Sequence, residues 1–129
     1  MPRRNAIAVV SGDEFYKLVF LEWAQKLVKR AWTVIIPGGG TQVNEEFIRS
    51  GFPIKEHGPM GRELETFEER QTQRDVIERN QAMLQDFLAA NGVYAAVEIP
   101  FFTIGTVLCP QNGDQMIRAA YLGFDELYR

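Results

Sequence analysis

The stretch VIIPGGGTQVN, residues 34–44, decides the fold class of this chain. Its apolar, β-branched start predicts a buried strand that the proline ends, and the residues after the glycines predict a helix that continues to Ser50. Three glycines therefore separate a strand from a helix: Gly38, Gly39 and Gly40. Glycines in this position let the backbone approach a ligand closely, and the unpaired amides of the helix start predict a site for a phosphate or a carboxylate.

The residues before this stretch predict a second buried strand and a helix. Ala6–Val10 is a short apolar run that ends at a turn, residues 11–13, and residues 14–30 carry apolar side chains at helical spacing. The next strand covers Trp32–Ile36. The order strand, helix, strand predicts a parallel pair joined by a right-handed crossover. The glycines then lie at the carboxyl end of a parallel strand, which favours a binding site over a sharp turn without a ligand.

The second half of the chain predicts one long helix among shorter elements. Glycine and proline recur over residues 51–61, which predicts a loop or a small hairpin. The long helix is predicted over Phe67–Asn91, because Thr66 and Glu69 match a capping box and Gly92 stands where a helix stops. Further strands are predicted over residues 94–99, 104–108 and 126–128, and a further helix over residues 114–122.

Length and composition predict a single domain over residues 1–129. The chain is 46% apolar and 24% charged, within the normal range for a globular domain. Its net charge of −3 and interleaved basic residues give no broad attraction for nucleic acid, and no apolar run is long enough for a membrane span. One cysteine, Cys109, and one histidine, His57, exclude an internal disulfide and a structural zinc site. We therefore expect a cytoplasmic protein without nucleic-acid or membrane partners.

Two segments of the chain resemble the amino acid kinase family, which includes acetylglutamate and uridylate kinases. Residues 34–44 resemble the family's glycine loop, and the acetylglutamate branch also follows the glycines with Gln and Asn. Residues 112–127, NGDQMIRAAYLGFDEL, resemble a second family motif, in which Asn and Asp precede an Ala-rich helix, a Leu-Gly-Ala-Asp turn and a strand. Together the two motifs cover nearly the whole chain in the family's order.

The resemblance implies a three-layer α/β/α sandwich with a mostly parallel sheet. In such a fold the glycine loop binds a small acidic or phosphorylated metabolite and the phosphoryl group that ATP transfers with Mg²⁺, and the protein is a homo-oligomer. Asp114 is then the acid that organises the catalytic groups, although a helix N-cap also explains that residue. The ligand-binding residues on this interpretation are Gly38, Gly39, Gly40, Thr41, Gln42, Asn44 and Asn112.

The chain departs from the family at the end of its first strand. The family has a Lys there, followed shortly by two glycines and a Ser, and that Lys neutralises the moving phosphoryl group; this chain has Ser11-Gly12-Asp13. Arg62 is a candidate for the missing cation, and so are Arg70 and Arg74 on the long helix. The polar half of that helix, residues 68–75, is otherwise expected to be a solvated surface.

Three functional interpretations remain open. The first is a kinase-like domain that binds an acidic or phosphorylated metabolite and transfers phosphate from ATP. The second is a non-catalytic anion-binding or assembly subunit that keeps the anion pocket without the lysines. The third is a homodimeric scaffold without a ligand, in which the long helix forms the interface.

Overall fold

The computed structural model describes residues 3–54, 56–58, 61–104, 107–110, 116–117 and 123–129. Residues 116–117 are helical and fall inside a helix predicted over residues 114–122, which otherwise lies outside the described residues. The remaining elements are, in chain order, β1 (Arg4–Val10), α1 (Leu18–Arg30), β2 (Ala31–Pro37), α2 (Gly40–Ser50), β3 (His57–Gly58), β4 (Gly61–Arg62), α3 (Phe67–Ala90), β5 (Ala96–Val97), β6 (Phe101–Ile104), β7 (Val107–Pro110) and β8 (Glu126–Tyr128).

Four of these strands form one parallel sheet in the order β5-β2-β1-β8. β1 and β2 pair along their whole length, from Arg4 opposite Ala31 to Val10 opposite Pro37. Both strands therefore end at the same edge, and the turn after β1 lies beside the glycines after β2. The parallel pairing confirms the predicted α/β class.

Helices α1 and α3 share one apolar cluster on the sheet. Buried leucines of both helices surround Ile35 of β2, which has no exposed surface. Burying such a side chain stabilises the fold by about 1.5–3 kcal/mol relative to exposing it. A second cluster packs α2 against α3, and its buried members are Val43, Phe47, Leu64, Val76 and Ile77.

The opposite face of β2 is open at Trp32. Because side chains alternate along a strand, Trp32 points away from the side that Ile35 faces. Its side chain is 61% exposed, and the guanidinium of Arg3 lies 4.3 Å from the centre of the ring. The third layer of the predicted sandwich remains a prediction. Among the described helices, none is both long and apolar enough to cross a membrane.

The ends of α2 and α3 follow the predicted signals. Gly51 and Gly92 follow the two helices with φ angles of 78° and 72°, the left-handed conformation that glycine adopts without strain. At the start of α3 the hydroxyl of Thr66 accepts a hydrogen bond from the amide of Glu69 at 3.1 Å. The stop signals and the side-chain cap of the long helix are confirmed.

Two predicted elements differ in position or kind. α1 begins at Leu18 and not at Glu14, because residues 12–16 form consecutive turns that bury Phe15 in the first cluster. The strand predicted over residues 104–108 is a pair, β6 and β7, which form an antiparallel hairpin outside the parallel sheet. Apolar periodicity alone does not distinguish one strand from two short ones.

The strand predicted over residues 94–99 is shorter than expected. Ala96 and Val97 lie opposite Val34 and Ile35 of β2, and the amide of Glu98 donates to the carbonyl oxygen of Ile35 at 3.0 Å. Two glutamines of α3 donate hydrogen bonds to neighbouring carbonyls, Gln81 to Val97 at 2.7 Å and Gln85 to Ala95 at 3.1 Å. These two side chains bond backbone carbonyls that would otherwise need a neighbouring strand as their hydrogen-bond partner.

The last strand, β8, is linked to α1 by a carboxylate with several partners. Glu126 accepts hydrogen bonds from the guanidinium of Arg30 and the hydroxyl of Tyr128, and the Nε of Arg4 lies 3.4 Å from its other oxygen. The hydrogen bond from Arg30 is the largest cause of a pKa of about 2 for Glu126, well below the ordinary value of 4.5. Ionised Glu126 therefore favours the folded state.

We expect the free energy of unfolding to decrease as the pH falls from about 4.5 to about 2. Glu126 stays ionised in the folded chain over this interval but becomes protonated in the unfolded chain, so falling pH favours unfolding. Urea denaturation across the interval should show a shallower decrease for Glu126→Gln than for the wild type. Glu14→Gln, which removes an exposed carboxylate paired with Lys17, should keep the wild-type slope. An unchanged slope in Glu126→Gln would contradict the assignment.

Candidate anion-binding site

The glycine loop, residues 38–40, lies at the carboxyl edge of the parallel sheet. The amide of Gly38 donates to the carbonyl oxygen of Val10 at 2.7 Å, so Gly38, predicted as a donor to a ligand, donates within the fold. The next four amides behave differently. No described residue accepts a hydrogen bond from the amides at positions 39–42, which form the first turn of α2. These four groups are the donors that a helix start offers to an anion.

The turn after β1 brings a carboxylate to the start of α2. Asp13 Oδ2 accepts a hydrogen bond from Thr41 Oγ1 at 2.7 Å, and Asp13 Oδ1 accepts one from Gln42 Nε2 at 3.2 Å. A negative charge in this position complements the helix dipole. Thr41 and Gln42 are predicted ligand-binding residues, whereas Asp13 is predicted only as part of a turn and helix cap. The full-length register of β1 on β2 brings the three side chains together.

Helix α3 reaches the same loop from the other side through Asn80. This side chain is 4% exposed, and its Nδ2 donates to the carbonyl oxygen of Gly38 at 3.1 Å and to Gln42 Oε1 at 3.4 Å. Because the oxygen of the Gln42 amide accepts from Asn80, its nitrogen faces Asp13. Sequence reasoning missed Asn80. The available signal was a polar residue at helical spacing between Ile77 and Leu84 of the apolar stripe.

Gly12 is packed closely against the glycine loop. A Cβ atom at Gly12 would lie 2.5 Å from Gln42 Oε1 and 2.9 Å from the carbonyl oxygen of Gly38. A Cβ at Gly39 would lie 3.1 Å from Asn80 Nδ2, whereas one at Gly40 meets nothing within 4 Å. The contact between the two loops therefore depends on the missing side chain of Gly12.

Gly12→Ala is expected to lower the free energy of unfolding by about 1–3 kcal/mol, because the new methyl group forces the two loops apart. Gly40→Ala adds the same methyl group where space is open, so its effect should stay below about 1 kcal/mol. Urea denaturation of the wild type and both variants measures the difference. Equal losses in the two variants would show that the loops do not pack as described.

Arg62 places a buried positive charge against the side of α2. It belongs to the β3–β4 hairpin and is 7% exposed. Its Nη1 donates to Asn44 Oδ1 at 2.7 Å, and its guanidinium carbon lies 5.6 Å from the centre of the Phe47 ring. Among the described residues no carboxylate forms an ion pair with it. Burial lowers the pKa of Arg62, which reflects the cost of holding this charge away from water.

The polar half of α3 also buries two side chains. Glu69 and Gln73 lie on the same helix face as Val76 and Ile77 and are as well buried as these apolar neighbours. The interpretation of this half as a solvated surface is therefore wrong for that face. Within the described part of the chain, Glu69 Oε2 and Gln73 Oε1 have no hydrogen-bond partner.

The other predicted site residues bond to groups outside the glycine loop or fall outside the described residues. Arg70 donates to a backbone carbonyl just before α3 at 3.2 Å, and Arg74 forms an ion pair with the next residue at 3.0 Å. Asn112 and Asp114 lie outside the described residues. Arg62 contacts a predicted ligand-binding residue that the structure describes, Asn44.

The first turn of α2 has four amides without a partner among the described residues, and the buried guanidinium of Arg62 is bonded to Asn44, about one turn further along the helix. The phosphates of ATP bring several negative charges, which would meet the carboxylate of Asp13. No lysine among the described residues bonds to the loop to balance them.

Comparisons with known proteins do not assign the chain to a family. No model of a known protein family matches it, and a search of curated proteins finds no match. The likeness to amino acid kinases therefore rests on the two sequence motifs.

Proposed function

We propose that this domain binds a small metabolite through a phosphate or carboxylate group, held by the first turn of α2 and by Arg62. The observation that carries the proposal is the burial of the Arg62 guanidinium beside a neutral amide, with no carboxylate paired to it among the described residues. A buried charge without a counter-charge is costly, and an anionic ligand would remove that cost.

The geometry of α2 relates Arg62 to the amides of its first turn, which have no partner among the described residues. Gly40 and Asn44 are four residues apart, so they lie on the same helix face about 6 Å apart along the axis. Arg62, which is bonded to Asn44, is therefore on the side of α2 on which Gly40 lies. An anion bound by the first-turn amides would therefore have the guanidinium of Arg62 on the same side of α2.

A binding role without catalysis is the form of this function that we favour. Where the resembling kinases have a lysine, this chain has the carboxylate of Asp13 against Thr41 and Gln42. The three-layer kinase-like fold and a homo-oligomeric assembly belong to the same proposal. Transfer of phosphate from ATP is the alternative role, and it is tested separately below.

Arg62→Gln is expected to weaken anion binding about ten- to hundredfold, because hydrogen bonds to charged groups contribute about 1.5–3 kcal/mol. Isothermal titration with inorganic phosphate and with succinate measures the affinity. Ligand at about 100 times Kd should raise the free energy of unfolding of the wild type by about 2.7 kcal/mol, which a thermal-shift assay detects as a higher Tm. Arg49→Gln is the matched control, since Arg49 is an exposed cation on the same helix that pairs with Glu46.

The outcomes separate the three functional interpretations. Binding of phosphate or succinate that Arg62→Gln weakens and Arg49→Gln preserves supports the proposal. Stabilisation by ATP with Mg²⁺, together with ATP consumption in the presence of an acidic acceptor, would replace it with the kinase role. If no anion stabilises the wild type, the scaffold without a ligand becomes the better description.

A further inference from the structure

A cavity of about 390 Å³ lies between α1 and the carboxyl ends of β1 and β8. Its walls come from the last residues of β1, from Tyr128 of β8, and from Val19, Phe20 and Trp23 of α1. Cavities that bind small molecules have volumes of about 300–1,000 Å³ and mostly apolar walls with a few polar groups. The size and the lining of this cavity are those of a ligand site.

The strand order puts this cavity where the sheet reverses direction. From β1 the chain continues to β2 and β5 on one side, whereas β8 pairs on the other side of β1. In open parallel sheets, ligands bind in the crevice outside the carboxyl ends of the strands, at the point where the strand order reverses. The cavity is therefore distinct from the glycine loop, which follows β2 on the opposite side of β1.

Three aromatic side chains that contact one another line the cavity. The ring centres of Trp23 and Tyr128 lie 5.1 Å apart with an angle of 83° between the planes, and those of Phe20 and Trp23 lie 6.2 Å apart. Phe20 and Trp23 are half-buried, so part of each ring stays open. Because aromatic rings prefer edge-to-face or offset contacts with other rings, a ligand ring in the cavity would extend this series of contacts.

The charged side chains of the lining already have partners. Lys17 Nζ lies 2.8 Å from Glu14 Oε2, and both side chains are at least half exposed. Arg129 also has an interaction partner, and the hydroxyl of Tyr128 donates to Glu126. A charged ligand would bring a charge without a counter-charge among apolar walls, which is costly. The complement of this lining is a neutral molecule.

We propose that the cavity between α1, β1 and β8 binds a small, neutral molecule through an aromatic ring. The ring packs against Phe20 and Trp23, and the paired charges of Glu14 and Lys17 stay in water at the mouth. This second site does not depend on the proposed anion binding, which uses the first turn of α2 and Arg62. Either site can therefore fail in an experiment without the other.

Phenethyl alcohol is the probe, because it is neutral and carries one aromatic ring. We expect calorimetric titration of the wild type to give a Kd of about 1 mM or lower. Cyclohexylethanol has a saturated ring on the same chain and should bind about two- to tenfold more weakly. Phenylacetate and phenethylamine are the anionic and cationic relatives, and each should bind more weakly by at least about tenfold.

Two variants and one spectrum locate the probe. Phe20→Leu removes a ring but keeps an apolar side chain, so it should weaken phenethyl alcohol binding about two- to tenfold. Phe67→Leu makes the same change at an exposed phenylalanine of α3 and should leave the affinity unchanged. In methyl NMR spectra of the wild type, Val19 of the cavity should shift on adding the probe, whereas Val43 of the second cluster should not.

Several results would overturn the proposal. These are a titration that does not approach saturation at about 10 mM phenethyl alcohol, equal binding of cyclohexylethanol, and tighter binding of either charged relative. If Phe20→Leu does not fold, the wild-type spectrum decides, and a Val19 methyl signal that does not move rejects the site. Sedimentation tests the other occupant: a wild-type dimer that Phe20→Leu dissociates would mean that a second copy of the chain fills the cavity.

Discussion

The parallel pairing of β1 with β2 is the constraint on which the rest of the molecule depends. Because the strands pair along their whole length, Val10 lies opposite Pro37 and both strands end at one edge. The turn after β1 must then pass directly over the glycine loop, and the amide of Gly38 donates to the carbonyl oxygen of Val10. Only a glycine at position 12 leaves room for this approach. The register of β1 on β2 thus places the carboxylate of Asp13 at the start of α2.

The polar groups around the loop divide into two sets with different electrostatics. On one side Asp13, Thr41, Gln42 and Asn80 form a hydrogen-bonded set in which the negative charge has donors. On the other side Arg62 is buried against α2 with a neutral amide as its bonded partner. The first set holds the loop by hydrogen bonds within the protein. The second set is the observation behind the proposed anion binding, since burying a lone cation opposes folding.

Much of the secondary structure was predictable because local signals and tertiary packing agree. Apolar runs with β-branched residues gave β1 and β2, and Gly51 and Gly92 ended helices in the left-handed conformation that glycine permits. The failures have a common cause. Residues 12–16 and 101–110 carry apolar side chains whose periodicity does not specify a turn or a hairpin, and contacts distant in sequence decide between them.

By itself the sequence determined the α/β class, the place of the glycine loop between a strand and a helix, and Arg62 and Asn44 as candidates for one site. Only the tertiary structure decided which polar residues meet there. Asn80 lies far along the chain within an ordinary helix, and Asp13 lies in an unremarkable turn, so no local pattern connects them to Gln42. Strand register and the packing of α3 on α2 bring them together, because hydrogen bonds between distant residues follow from the fold and not from their spacing in the chain.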